Sequence, residues 1–437
     1  MNVVKIGGSS LRSVADFERL AQRLQRDHPP PTLVVVSALP GVTRQLEEAA
    51  FTAERNDLDR ATAIVERIVT THAGLGRELL ADPAAADALA MLAAEVGERI
   101  ERLLRGVALT GVLTPRTLDR IVSAGERLAL HLLRHVLSER GLDTTAVAAE
   151  ELVVTDDRFG NARPLVEETT LRVRERLIPQ AQRSSYVLTE GFVGATAGGD
   201  VTTMGKESSN LTAALLAHSI GARELVFYTP VAGIFTADPQ RVPSARLVAH
   251  LSYDHAEHLA YAGLKLLYPT MFPLLRRGGI VLRITALDAE GHTTIADVAQ
   301  NGDVFVAMEE PMQLVRLDFD SFARACRLGW QYRDIAGTER GDVLALAEPH
   351  QVTVLDQLGI GANEPASECL RLCVWTASSS ASMHEHVERC IAALADRRAT
   401  SIVRTGEESV VTAVVTSSVE QPLLASLHDA IAAGVRH

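Results

Sequence analysis

Short apolar runs recur along the chain to about residue 300, each followed by a longer stretch of helical periodicity. Val3-Val4-Lys5-Ile6, Leu33 to Val36, Tyr186 to Leu188, Leu225 to Tyr228 and Ile280 to Ile284 read as strands. Their apolar positions are consecutive rather than alternating, the pattern of parallel strands covered on both faces. Between them, Ile64, Ile68, Leu75 and Leu79 recur at helical spacing, as do Leu89, Val96, Ile100 and Leu103. Leu118, Ile121, Leu128, Leu132 and Val136 make a third such set, and Asn210 to Ile220 is Ala/Leu-rich and helix-like. Strands alternating with helices predict an α/β layered domain.

The pattern changes near Gln300 to Asp303. Gln313 to Leu317 reads as a strand with a helix from about Ser321, and Leu370 to Val374 as a strand with a helix near His384 to Asp396. A strand at Ser409 to Val415 and a helix at Leu423 to Ala433 follow. Two small α+β units fit this order. The expected division is 1–300 and 301–437.

Composition narrows the class. The 437 residues are 47% hydrophobic and 22% charged, which excludes disorder as the main theme. Aromatics are only 4%, so the core is aliphatic. The net charge of -12 comes without a long basic run, which argues against a nucleic-acid coat. It does not forbid an anionic ligand, because such ligands bind local positive sites. Cys369 and Cys373 have CxxxC spacing but no second pair to complete a zinc pattern, so the cysteines read as ordinary thiols. The opening run lacks the layout of a secretory leader, and no apolar stretch is long enough for a bilayer, so the expected address is the cytoplasm.

Several loops carry candidate chemistry. Lys5-Ile6-Gly7-Gly8-Ser9-Ser10 follows a strand and precedes a helical run. Glycines there allow close approach to an anion, amides at a helix start point at phosphate oxygens, and Lys5 adds positive charge. Val36 to Thr43 places Ser37 and Thr43 after a strand end, where ligands collect in open α/β sheets, although a capping Ser explains it equally. Ser123-Ala124-Gly125-Glu126-Arg127 puts a glycine inside a helix pattern, which calls for a packing reason. Glu126 suits a substrate ammonium, or else forms a surface pair with Arg127. Gly191 to Asn210 is a Gly/Thr/Ser-rich loop running into a helix, where Ser208, Ser209 or Asn210 is either a ligand donor or an N-cap. Tyr228 to Pro239 is a loop after a strand, and Lys265 is either another site cation or a charge at a helix end.

In this order the segments resemble the aspartate kinase branch of the amino-acid kinase family. Lys5 to Ser10 is similar to its KxGGSS opening, and Val34 to Thr43 to its VVSA-x-x-GVT segment. Asp119 to Leu128 resembles its D-x-I-x-S-x-GE-R-L segment, and Thr202 to Ala214 its loop and following helix. Thr155-Asp156, Asn161-Ala162, Thr236 to Pro239, Val242-Pro243, Leu251 to Tyr253 and Lys265 extend the likeness.

The resemblance implies a three-layer αβα sandwich followed by tandem ACT-like, ferredoxin-like α+β units. It implies transfer of the γ-phosphoryl group of ATP, with Mg²⁺, to the side-chain carboxylate of aspartate. Lys5 and Gly8 would act on the phosphoryl group with Asn210 beside them. Ser37, Thr43, Glu126, Lys206 and Ser209 would bind the amino acid. Gly7, Ser9, Thr229, Phe235, Asp238 and Lys265 would bind ATP. No side chain is assigned to metal. A homodimer through the C-terminal units, with no nucleic-acid or membrane partner, is implied too.

The departures cluster on the loops. Lys206 stands where the family usually has Arg, which loses a planar fork for a carboxylate. Glu207-Ser208 replaces Gly-Gly, Asn210 replaces Asp, Pro230 replaces Asp, and Gln240 replaces Arg. These changes leave open a kinase retuned for another amino acid or carboxylate, or a catalytically weak regulatory homologue.

Overall fold

In the computed structural model, the described residues are 1–205, 207–261, 264, 266–297, 304–308, 312–327, 334–337 and 342–347. Beyond these it describes 352, 355, 360–362, 367–376, 389, 399–405, 410–416, 425–426 and 428–430. They form two compact units. The first comprises Met1–Ile234, Ala249–Ala260 and Lys265–Val298; the second comprises Phe235–Val248, Tyr261–Leu264 and the chain from Ala299 onward. The division therefore differs from a single cut near residue 300. The loop after Ile234 is held within the second unit by a Phe235–Leu247 bridge and a Val306 N–H donating to the Thr236 carbonyl at 2.8 Å.

In chain order, the strands of the first unit are β1 (Asn2–Ile6), β2 (Thr32–Val36), β3 (Thr144–Ala146), β4 (Val154–Thr155), β5 (Tyr186–Glu190) and β6 (Val193–Thr196). They continue with β7 (Val201–Thr203), β8 (Glu224–Tyr228), β9 (His250–Ser252), β10 (Val281–Thr285) and β11 (Thr293–Ala296). Eight of them form one sheet in the order β3-β5-β2-β1-β8-β10-β11-β9. From β3 to β10 every pairing is parallel, and only β10–β11 runs antiparallel. All five apolar runs fall on strands of this sheet. Leu33 to Val36 are wholly buried because helices cover both faces.

Alternation assigns the faces. Val4, Ile6, Val34, Val36, Leu188 and Val226 share a core with Phe17, Leu20 and Leu24 of the helix Val14–Asp27 and with Leu128 and Leu132 of the helix Ala124–Glu139. The helix Ser209–Ser219 packs on β1, β2 and β8, and nearly all its residues are buried, so it shows no polar face. A helical pair, Leu58–Leu79 and Pro83–Thr110, packs on the helix Val42–Glu54. Strands β4, β6 and β7 make a small separate sheet.

The set Leu118 to Val136 is two helices rather than one. Pro115–Val122 ends at Ser123, and Ala124–Glu139 starts there. Among the described residues, no helix is long and apolar enough to cross a membrane.

The second unit carries β12 (Val304–Met308), β13 (Met312–Leu317), β14 (Asp334–Gly337), β15 (Val343–Ala347), β16 (Ser367–Thr376), β17 (Ala399–Thr405) and β18 (Val410–Thr416). They join into one seven-stranded sheet, antiparallel at every pairing. Val315, Leu317, Ala325 of the helix Phe319–Arg327, Ala345 and Ala347 form its core with Leu355 and Ile360. Cys326 is a free, half-buried thiol. Most of the expected helix at His384 to Asp396 lies outside the described residues.

Candidate active site

Four adjacent parallel strands, β5-β2-β1-β8, end on the same side of the sheet. Their carboxyl ends deliver Phe192, then Ser37, Ala38 and Gly41, then Gly7, Gly8 and Ser9, then Thr229 and Pro230 to one cavity of about 690 Å³. Loops collect there because strand ends in an open α/β sheet leave a crevice between the helix layers. The cavity volume is in the range that holds a nucleotide-sized ligand. Lys5, Thr43, Glu126, Glu207, Ser209 and Asn210 complete most of its lining.

The loop after β1 is shaped by two contacts. The Gly7 N–H extends the parallel ladder by one bond, donating to the Tyr228 carbonyl at 3.1 Å, and Ser10 Oγ donates to the same oxygen at 3.1 Å. The Gly7 amide is thereby engaged within the fold, unlike the phosphate donor expected of it. The following 3-10 turn, Gly8–Ser10, leaves the Gly8 and Ser9 N–H groups without backbone partners among the described residues. A Cβ at Gly8 would stand 1.9 Å from the Ala38 carbonyl oxygen, so the close approach of the two loops requires glycine.

Lys5 sits half-buried at the cavity floor, its Nζ 5.9 Å from the centre of the Phe227 ring. Burial strips water from the ammonium and lowers its pKa to about 8, with the Glu207 charge opposing that shift.

The glycine inside the helix pattern has a packing reason. A Cβ at Gly125 would meet Val42 Cγ1 at 3.1 Å and Ala38 Cβ at 3.2 Å, so Gly125 lets the helix Ala124–Glu139 approach the start of Val42–Glu54. That approach puts Glu126, 4% exposed, under the Ala38 loop. Its Oε1 accepts from the Ala38 N–H at 3.3 Å, while Oε2 is buried without a partner among the described residues. Burial, and secondarily the nearby Glu190, push its pKa up to about 8 against the Ala38 hydrogen bond. An unpartnered carboxyl oxygen in a pocket is a vacant seat for a cation or donor. The expected surface pair with Arg127 is not formed. Arg127 turns away, its Nε 2.6 Å from Glu190 Oε1 and a terminal nitrogen 2.9 Å from Glu150 Oε1.

Asp119, in the same segment, is a structural anchor. It is 1% exposed and accepts from Thr203 Oγ1 at 2.6 Å, the Thr203 N–H at 2.9 Å and the Gly160 N–H at 2.9 Å. It thus ties the helix Pro115–Val122 to the end of β7, where the Thr202 to Asn210 loop departs.

That loop brings Ser209 and Asn210 to the cavity at the start of the helix Ser209–Ser219. Ser208 sits at the N-cap position, but its side chain makes no capping hydrogen bond. Asn210 Nδ2 donates to the Leu266 carbonyl at 3.1 Å, and its Oδ1 is buried without a partner among the described residues. Thr229 Oγ1 donates to the Val231 carbonyl at 2.7 Å. Lys206 and Lys265 lie outside the described residues. Phe235 and Asp238 belong to the second unit, where Asp238 Oδ1 accepts from the Gln240 N–H at 2.9 Å.

Sequence reasoning passed over Arg12, Arg44 and Glu47 and gave Phe192 and Glu207 no site role, yet all five line the cavity. Among the described residues, three non-glycines have positive φ: Asn56, Phe192 (67°) and Glu207 (65°). Asn tolerates that region, whereas Phe and Glu adopt it only at a cost, and Phe192 and Glu207 both line this cavity.

The model of the amino acid kinase family matches residues 1–286. An aspartokinase of Chlamydia pneumoniae is 27% identical over 353 residues, 80% of this chain and 73% of the relative. An aspartokinase of Thermus thermophilus is 29% identical over 237 residues, 53% of this chain and 55% of the relative. The match thus spans just over half the length of that second relative. The structure of E. coli aspartokinase III in complex with aspartate and ADP has a TM-score of 0.79 at 22% identity, covering 98% of this chain and 99% of that one. At that identity the likeness concerns the fold.

Proposed function

Because this chain belongs to the amino acid kinase family, we propose that it transfers the γ-phosphoryl group of ATP to the side-chain carboxylate of aspartate, giving 4-phospho-aspartate and ADP. The observation that carries this reading is the juxtaposition of Lys5, the Gly8–Ser9 amides and the buried Glu126 around one cavity. One end suits phosphate; the other suits an ammonium group.

Each residue then has a task. Lys5 offsets charge on the transferring phosphoryl group, and the Gly8 and Ser9 amides donate to its oxygens. Gly7 holds that loop against β8. Ser37, Thr43 and Ser209 line the amino-acid end, and Glu126 takes the α-ammonium. Asn210 positions groups near Lys5, and Thr229 borders the nucleotide. Phe235, Asp238, Lys206 and Lys265 retain the roles that family likeness implies. The acceptor carboxylate is already a nucleophile at neutral pH, so positioning and charge neutralisation suffice without a covalent enzyme intermediate.

The described residues contain no cluster of three or more His, Cys, Asp or Glu that would hold a metal. Mg²⁺ fits as an ion brought by the triphosphate, with Asn210 Oδ1, buried and without a partner among the described residues, as an available oxygen donor. When bound, it neutralises phosphate charge. The antiparallel second unit is assigned an ACT-like regulatory and dimerising role, and the enzyme a cytoplasmic place in amino-acid biosynthesis.

The test is turnover. Protein supplied with ATP, Mg²⁺ and aspartate should release ADP, and hydroxylamine should trap the acyl phosphate as a hydroxamate. ADP release and trapping with another amino acid, but not with aspartate, would keep the reaction class and overturn the substrate.

A further inference from the structure

Two charged neighbours on the helix Ala124–Glu139 face different ways. Glu126 lines the cavity, and Arg127 reaches away to the acids Glu190 and Glu150. Consecutive helical residues point about 100° apart, so anchoring one sets the direction of the other. The apolar contacts of Leu128 and Leu132 hold the helix on the sheet, but such contacts are non-directional. Ser123 precedes the helix without a side-chain capping bond, and Gly125 has no side chain to interlock. An arginine near the start of a helix runs against the macrodipole, which favours acids there. Its place is explained by what it meets.

Glu190 ends β5 on the face that Leu188 shares with that helix, because side chains two apart on a strand point the same way. An acid only 1% exposed on an apolar face needs partners. It has Arg127 Nε at 2.6 Å from Oε1, and the Ala149 N–H donating to Oε2 at 2.7 Å. Glu190 is itself fixed beside the site. It lies in register with Val36 of β2, and the Gly191 N–H donates to the Val36 carbonyl at 2.7 Å. Ser37 and Ala38 follow Val36 directly, and the Ala38 N–H donates to Glu126. The contacts therefore close a ring: helix to β5, β5 to β2, and the loop after β2 back to the helix. The other arm of Arg127, to Glu150, joins two partly exposed side chains and contributes less.

We propose that Arg127 is a positioning residue. Its ion pair with the buried Glu190 sets the rotation of the helix Ala124–Glu139, so that Glu126 Oε1 meets Ala38 and Oε2 is left for an ammonium group. Taking that ammonium as the substrate's rests on the aspartate kinase reading. The positioning itself can be measured on the ligand-free chain.

Hydrogen exchange of the ligand-free full chain, followed by mass spectrometry on the peptide covering Ser37 to Gly41, reads the Ala38 amide. Arg127→Met should speed its exchange about tenfold or more, while the peptide spanning β10 and β11 stays within about twofold of wild type. Arg127→Lys, which keeps a charge for Glu190, should recover most of the protection, and Glu150→Gln should match wild type. Where Arg127→Met does not fold, Arg127→Gln carries the same comparison. Unchanged Ala38 exchange, equal acceleration in both peptides, or a Glu150→Gln effect as large as that of Arg127→Met would overturn the proposal. Calorimetry on the same proteins uses aspartate and succinate, the same skeleton without the ammonium. Arg127→Met should weaken aspartate about tenfold or more and leave succinate within about twofold. Equal losses for the two ligands make Arg127 merely structural and sink the positioning role. A wild type that does not bind aspartate, with an Ala38 peptide that responds as expected, sinks the aspartate reading alone.

Discussion

Gly8 and Ala38 meet so closely that a Cβ on residue 8 would lie 1.9 Å from the Ala38 carbonyl oxygen. The contact joins the loop after β1 to the loop after β2, and Ala38 also donates its N–H to Glu126. One alanine backbone therefore registers the Gly8 loop against the Glu126 carboxyl.

Gly8→Ala should push these loops apart. Displacement of about 1 Å at a reacting centre costs roughly 100-fold in rate. We expect kcat/KM for ATP to fall by at least about that factor while far-UV circular dichroism stays native. Steady-state assay of the variant beside its spectrum checks both.

Lys5 sets the alkaline side of activity. Its ammonium must be charged to meet phosphate, and its pKa is lowered to about 8 by burial. The kcat/KM for ATP, measured at saturating aspartate so that Glu126 has already lost its proton, should be level below that pH and fall about tenfold per pH unit above it. Lys5→Met should lose about 100- to 1,000-fold in kcat and lack this limb. A pH–rate profile of both proteins decides it.

Glu126 predicts proton release. With its pKa raised to about 8 by burial, it is largely protonated in the empty site at pH 7. An arriving α-ammonium favours the carboxylate, so aspartate binding should expel close to one proton. Calorimetry in two buffers of different ionisation enthalpy measures that number. Glu126→Gln should abolish the release and weaken aspartate about 10- to 100-fold.

The same group tilts stability. A carboxyl whose folded pKa is raised from 4.5 to about 8 contributes stability that is full below 4.5 and lost as pH rises through about 8. Across that window the wild type should lose resistance to urea relative to Glu126→Gln. Unfolding midpoints at several pH values test the slope.

Asp119 tests the scaffold. Removing its carboxylate orphans the Thr203 and Gly160 N–H groups. Asp119→Ala should cost about 2–4 kcal/mol of stability and loosen the loop that carries Ser209 and Asn210. Denaturant unfolding and the KM for aspartate should change together.

The sequence by itself determined the layered sheet, because runs such as Leu33 to Val36 are apolar at every position and only a strand covered on both faces buries them all. It also marked the loops that meet at the cavity, since Lys5-Ile6-Gly7-Gly8 and Gly125-Glu126 carry their chemistry in residue type. It missed the break at Ser123, where helical periodicity runs on through the turn. It paired Arg127 with its chain neighbour, whereas Glu190 arrives from β5, far away in sequence. Tertiary structure alone decided that the Gly7 amide is engaged by Tyr228, where Glu126 loses its water, and that Glu207 occupies a glycine's backbone conformation on the cavity lining. Each depends on which groups from distant segments reach a residue and on how much solvent they exclude. Neither quantity is carried by local periodicity.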